Sequence, residues 1–84
     1  MAKTISHAEL VDKLCEMAAD QVGAERTSVT VDTHLVEDLN FDSLDQVDYA
    51  MRIEDEFDVS ISDEQAQNVK TVGQAVEVLA KHLR

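Results

Sequence analysis

Three segments, Ser6-x-x-Glu9, Ser62-x-x-Gln65 and Thr71-x-x-Gln74, each place a hydroxyl three positions before a Glu or Gln and ahead of an apolar run. Each is a capping box. The hydroxyl accepts from a first-turn amide, and the carboxylate or side-chain amide reaches back to the amide of the cap. Three such boxes in 84 residues commit much of the chain to helix starts. Little opposes helix growth, since there is no Pro and the two Gly stand far apart. After Ser6, the residues Leu10, Leu14, Met17, Ala18 and Val22 recur every three to four positions, and Gly23 follows as a stop. This spacing predicts a helix over about 7–22. After Thr71, the spacing of Val72, Ala75, Val76, Leu79 and Leu83 predicts a last helix over about 72–83, with Lys81, His82 and Arg84 favouring its negative end. The stretch after Ser62 allows one or two turns that bring Ala66 and Val69 inward.

Asp42 opens a further helix over about 43–58, with its carboxylate as cap and Asp45 in the favourable first turn. Asn40 suits the turn before it, because Asn tolerates left-handed backbone better than most residues. Between Gly23 and Asp42 no period is sustained. Val29, Val31, Leu35, Val36 and Leu39 can pin this stretch onto the core, and the alternation Val29-Thr30-Val31 has no partner strand, so it reads as an ordered loop. The expected fold is all-α, with one domain over residues 1–84. It is a small antiparallel four-helix bundle, three main helices and one short one, with a long ordered loop between the first and second.

Seven basic against eighteen acidic side chains give a net charge of −11. Such a field repels nucleic acid and anionic leaflets and favours basic patches on other proteins. The single Cys15 excludes an internal disulfide and a Cys-rich metal site. No apolar run is long enough to span a bilayer, and the start Met1-Ala2-Lys3-Thr4 lacks the apolar stretch of a secretion signal. The chain is expected to be a cytoplasmic monomer without membrane insertion, or a mature product whose targeting segment is not shown.

The helix from Ser43 carries two stripes. Val47, Ala50, Ile53 and Phe57, with Tyr49 on the flank, contain no charge and form the expected core face. Leu44, Asp48, Met51 and Asp55 alternate apolar and acidic side chains on the other side, a pattern that suits a partner through apolar anchors and charge steering. Scattered surface apolar residues are also common without any role. Residues 37–58 hold nine of the eighteen acids and one base, Arg52, so a quarter of the chain supplies −8 of the −11. Arg52 stands four residues after Asp48, in register for an intrahelical pair, and it interrupts the acidic face. Ser43 itself has two readings: a second capping hydroxyl, or a site for a phosphate ester favoured by the free N–H groups and positive end of the helix.

The segment Glu37-Asp38-Leu39-Asn40-Phe41-Asp42-Ser43-Leu44-Asp45-Gln46-Val47-Asp48 resembles the prosthetic-group site of acyl carrier proteins. The likeness continues through Met51-Arg52-Ile53-Glu54-Asp55-Glu56-Phe57-Asp58, the Ile61-Ser62-Asp63-Glu64 step and Thr71-Val72, so it covers roughly residues 31–80. It implies a four-helix carrier that catalyses nothing. A phosphopantetheinyl transferase would move 4′-phosphopantetheine from coenzyme A onto Ser43. The thiol of that arm, not Cys15, would bear an acyl group as a thioester, and the acyl chain would slip between the helices when no enzyme holds it. By the same resemblance Leu44, Asp45, Asp48, Met51, Glu54 and Asp55 match the face read by basic docking patches on acyl-transferring and chain-elongating enzymes. Asp42 and Arg52 complete the expected partner face. The pathway implied is fatty-acid synthesis, or a specialised lipid or polyketide synthesis. Three residues depart from the pattern: Asn40 where Gly is usual, Phe41 before Asp42, and Arg52 where fatty-acid carriers have a small neutral residue. Phe41 and Arg52 leave a dedicated carrier for one specialised product open beside the general one.

Other classes fit less well. Asp38-x-Asn40-x-Asp42 begins like a calcium loop, but Ser43 stands where Gly is required and Tyr49 where a bidentate Glu is required. Glu37, Asp42 and Asp45 offer at most a loose divalent site. An unmodified acidic interaction module is the alternative function, and it leaves the Asp-Ser-Leu context as coincidence. For an enzyme, His7, His34 and His82 are dispersed with no Cys or Ser at motif spacing, and solvated surface roles are expected for all three. Cys15 is expected to be a partly buried small hydrophobe, with Met17 and Met51 serving packing and adaptable contact rather than metal binding.

Overall fold

The computed structural model describes residues 6–83. Four α-helices follow one another: α1 His7–Val22, α2 Ser43–Phe57, α3 Asp63–Asn68 and α4 Val72–His82, with a single 3-10 turn at Arg26–Ser28. Among the described residues there is no strand, only an isolated bridge between His34 and Thr71. The all-α expectation holds, and the long helices begin and end within one residue of the sequence reading.

The caps explain this agreement. Ser6 Oγ accepts from the Glu9 amide at 3.1 Å, Ser62 Oγ from Gln65 at 3.1 Å and Thr71 Oγ1 from Gln74 at 3.2 Å. A fourth box starts α2. Asp42 Oδ1 accepts from the Asp45 amide at 2.8 Å, and Asp45 Oδ2 accepts from the Asp42 amide at 3.2 Å. Gly23 ends α1 in the left-handed conformation (φ 70°), and Asp58 ends α2 the same way (φ 54°). Asn40 is left-handed (φ 58°), as the turn before α2 requires. Lys81 and His82 lie in the last turn of α4; Arg84 and the start Met1–Thr4 lie outside the described residues.

The core is built from Leu10, Leu14, Cys15, Met17, Ala18 and Ala19 of α1, and from Val72, Ala75, Val76 and Leu79 of α4. These two helices make the most extensive packing in the molecule. Val22 and Leu83, read as core from their spacing, are exposed because each sits at a helix end, past the facing helix's cover. α3 buries no residue fully; Ala66 is half-buried, and Val69 just beyond the helix is buried.

The sequence reading of α2 needs one correction. Val47, assigned to the core, is 56% exposed, and Tyr49, assigned to the flank, is 2% exposed. Tyr49 and Ile53 are the buried residues of α2, with Ala50 and Phe57 half-buried beside them. Two interactions turn the helix this way. The Tyr49 hydroxyl donates to the Leu14 carbonyl at 2.9 Å, and the Tyr49 ring meets Phe41 edge-on, with centroids 5.6 Å apart. A buried tyrosine requires a partner for its hydroxyl, and α1 supplies one.

The connection from Gly23 to Asp42 is ordered by α4. The Leu35 amide donates to Lys70 O at 2.9 Å, while Val72 and Gly73 donate to Thr33 O at 3.2 Å and Val31 O at 2.9 Å. The loop carbonyls thus satisfy first-turn amides that a helix cannot satisfy itself. A Cβ on Gly73 would stand 3.0 Å from Val31 O, so a larger residue there would press the loop back by a few tenths of an ångström. Val29 and Leu35 are buried, and Leu39 is half-buried. Val31 and Val36, read as pins, are exposed, because Val31 contributes its carbonyl and the turn at 35–39 directs Val36 outward.

Tyr49→Phe removes one buried hydrogen bond and leaves a mid-helix carbonyl that retains its helical partner. Urea denaturation is expected to show a loss of about 1 kcal/mol. An unchanged midpoint would contradict the role of the hydroxyl in seating α2.

Candidate functional site

Ser43 is the first residue of α2, and its side chain is exposed. The Asp42 cap takes the Asp45 amide, and the Asp42 carbonyl takes the Gln46 amide at 3.1 Å. Among the described residues nothing accepts from the amides of Ser43 or Leu44. At α4, by contrast, the loop covers the first two amides. The α2 end therefore combines an accessible hydroxyl, two free donors and the positive end of the helix dipole, which together suit a phosphate ester.

Asp45 is held away from that opening. Its Oδ1 accepts from Gln21 Nε2 at 3.2 Å, and its Oδ2 accepts from the Asp42 amide. The Asp42 amide, and then the Gln21 side chain, hold the Asp45 carboxyl below the usual aspartate range. Gln21 also ties in Arg52: Arg52 Nη1 donates to Gln21 Oε1 at 3.0 Å and Nη2 to Asp20 Oδ2 at 3.0 Å. The intrahelical pair with Asp48 expected for Arg52 is thus replaced by a contact between helices. The end of α1 offers two acceptors at once, which match the fork of a guanidinium better than one exposed carboxylate does. Gln21 was not singled out in the sequence, because nothing in its local spacing marks a residue that bridges two elements.

The predicted partner face divides in two. Leu44, Met51, Asp42, Asp48 and Asp55 are exposed. Asp45, Arg52 and Glu54 are half-buried and engaged within the molecule; Glu54 Oε2 accepts from the Ile61 amide at 2.7 Å. Val47 joins the exposed group. Leu44, Val47 and Met51 are 79%, 56% and 54% exposed and make one apolar stripe along α2. The spacing Leu44-x-x-Val47-x-x-x-Met51 carried that signal in the sequence.

Beneath this face lies a small apolar cavity of about 20 Å³ whose walls include Leu35, Tyr49, Ile53, Val69, Ala75 and Val78. An open groove of about 380 Å³ begins at Ser43 and runs between α2 and the start of α3, past Gln46, Ala50, Ile61 and Asp63. Phe41 is buried and acts on the cavity only through Tyr49, which it buttresses.

The remaining candidates have structural surroundings. Burial pushes the Cys15 thiol up from its ordinary pKa, and the side chain is buried in the core rather than partly exposed. His34, expected to be solvated, is half-buried; its Nδ1 accepts from the Glu37 amide at 3.1 Å and so helps form the turn. His82 Nε2 lies 3.2 Å from Gln65 Oε1, linking α4 to α3. Among the described residues no three His, Cys, Asp or Glu side chains come together as metal ligands. The lowered pKa of Asp45 sets a sign for pH. Its stabilisation is complete above the ordinary aspartate value of 3.8 and is lost as pH falls through the lowered folded value. Asp45→Asn keeps an oxygen acceptor and removes the charge. In moderate salt it is expected to melt lower than wild type at neutral pH, with the gap closing as pH falls below the aspartate range. Equal melting at neutral pH would contradict the assignment.

Known proteins match this geometry. The family model described as "Phosphopantetheine attachment site" matches residues 12–79. A Mycobacterium tuberculosis chain assigned as an acyl carrier protein superposes with a TM-score of 0.80 at 35% identity, covering 86% of this chain and 96% of its own. The acyl carrier protein of Enterococcus faecalis, noted for high thermal stability, superposes with a TM-score of 0.77 at 31% identity, covering 93% and 99%. The chain belongs to the acyl carrier proteins, which are carriers rather than enzymes and whose cofactor is covalently attached 4′-phosphopantetheine.

Proposed function

We propose that Ser43 is the attachment residue, and that residues 1–84 act as one monomeric carrier domain in the cytoplasm. The observation that carries this reading is the exposed Ser43 hydroxyl beside two unpartnered first-turn amides, within the matched region. In the transfer, Ser43 Oγ forms a bond to the phosphorus nearest the pantetheine of coenzyme A. The P–O bond to the nucleotide half breaks, and the serine proton leaves to a base of the transferase. The free amides of Ser43 and Leu44 would hold a phosphodiester formed there, with the Asp45 carboxylate bound instead by Gln21 and the Asp42 amide. When bound, the arm supplies a thiol that holds an acyl group as a thioester.

Leu44, Val47 and Met51 serve as apolar anchors for the phosphopantetheinyl transferase and for acyl-transferring and chain-elongating enzymes. Asp42, Asp48 and Asp55 steer basic patches toward them. Asp45, Arg52 and Glu54 contribute by setting the pose of α2 as well as by their charge. The cargo belongs to fatty-acid synthesis or to a specialised lipid or polyketide route, and the buried Phe41 and the helix-bridging Arg52 are compatible with either.

Incubation with coenzyme A, magnesium and a broad-specificity transferase is expected to add one phosphopantetheine to the intact mass of the wild type and none to Ser43→Ala. No gain on folded protein with more than one transferase would favour an unmodified interaction module. Leu44→Ala is expected to raise the KM of that transferase roughly tenfold, as loss of an anchor worth about 1–2 kcal/mol predicts, with helicity unchanged. An unaltered KM would remove Leu44 from the docking face.

A further inference from the structure

A line of side chains joins the end of α1 to the head of α2 and stops beside Ser43. Arg52 Nη2 donates to Asp20 Oδ2 at 3.0 Å and Nη1 to Gln21 Oε1 at 3.0 Å. Gln21 Nε2 donates in turn to Asp45 Oδ1 at 3.2 Å, and the other Asp45 oxygen accepts from the Asp42 amide at 3.2 Å. Gln21 lies between a group that only donates and one that only accepts, since a guanidinium has no acceptor and an ionised carboxylate no donor. One orientation of its amide satisfies both, with Oε1 toward Arg52 and Nε2 toward Asp45. Asp20 takes the second arm of the fork, so the guanidinium that orients Gln21 is itself held.

The line restrains a negative charge next to a place suited to a phosphate. An acid in the first turn is drawn to the positive end of its own helix. At the head of α2 the amides of Asp45 and Gln46 are taken by Asp42, while those of Ser43 and Leu44 meet no acceptor among the described residues. A carboxylate released by Gln21 would compete for these two amides and repel an incoming phosphate. Without Arg52, Gln21 keeps one partner and regains its rotamer freedom, so water displaces it from Asp45 more readily.

We propose that Arg52 is a positioning residue for the modification of Ser43: acting through Gln21, it keeps the Asp45 carboxylate off the Ser43 and Leu44 amides. The inference rests on Ser43 as the attachment residue. It gives Arg52 a task separate from docking. It is separate also from simple stabilisation, which Arg52 provides as a cation at an α1 end whose last turn has no base of its own.

The test follows single turnovers with coenzyme A, magnesium and excess transferase, reading the maximal rate and the half-saturating transferase concentration. Arg52→Met and Gln21→Met are each expected to lower the maximal rate roughly fivefold, the size of one charge acting at a helix N-terminus. The double variant is expected to lose no more than either single one, because both act on the same carboxylate. The Asp45 carboxyl, held low by the Asp42 amide first and Gln21 second, is expected to titrate higher by NMR in all three. Lys13→Met removes the same charge from the same pair of helices, where Lys13 meets Glu56 at 3.4 Å, but about two turns of α1 from Gln21. It is expected to leave both the maximal rate and the Asp45 titration as in wild type. A change in Arg52→Met confined to the half-saturating concentration, with Gln21→Met like wild type, would make Arg52 a docking residue and overturn the inference. Additive losses in the double variant would overturn it as well. If Arg52→Met does not fold, an unchanged maximal rate in Gln21→Met overturns it alone. A wild type that gains no phosphopantetheine would overturn Ser43 and this inference together, whereas a modified wild type with unaltered variants overturns only the role of Arg52.

Discussion

The bond from the Tyr49 hydroxyl to the Leu14 carbonyl determines which way α2 faces. A helix with apolar residues on more than one side can settle in several rotations, and burial area alone separates them weakly. A buried hydroxyl separates them strongly, because leaving it without a partner costs more than the exposure of one valine. Seating Tyr49 inward turns Leu44, Val47 and Met51 outward together. The apolar stripe on the surface is thus a consequence of a polar contact in the core.

The acidity of α2 imposes a second demand. Residues 37–58 carry −8, and repulsion of that density works against a compact state. The structure limits it by giving several carboxylates work within the fold. Asp42 and Asp45 cap α2, Asp38 accepts the His34 amide at 2.7 Å, and Glu54 holds the Ile61 amide. Arg52, the one base of the segment, is directed to Asp20 and Gln21 of α1, where it joins two helices. The acids left exposed, chiefly Asp48 and Asp55, flank the apolar stripe.

Most of the fold was legible because it is written in local signals. Capping boxes span four consecutive positions, and all those read in the sequence form in the structure. Gly23 and Asn40 adopt the left-handed conformations their residue types suggest. The two readings of α2 that missed involve partners distant in the chain. Tyr49 and Leu14 are thirty-five positions apart, and Arg52 and Asp20 thirty-two. No periodicity within α2 can reveal an acceptor on α1, so Val47 took the place of Tyr49 and Asp48 the place of Asp20. The loop was read as ordered from its apolar content, whereas much of its order comes from carbonyls that any sequence would supply. Ser43 stood out through the residues around it, since a capping hydroxyl is by itself the commoner role for Ser at a helix start.

The seam between the loop and the head of α4 bears on how the chain reaches this state. Each helix start is settled by neighbours three residues away and forms as soon as the local chain allows. The bonds from Leu35, Val72 and Gly73 join residues 35 to 42 positions apart and close a loop that contains α2 and α3, so they cost more chain entropy than any cap. The loop is therefore a seam whose closure the local helix signals cannot bring about. A fray of this seam would free the Val72 and Gly73 amides and open α4 from its first turn, while the caps of the other helices rest on contacts of their own.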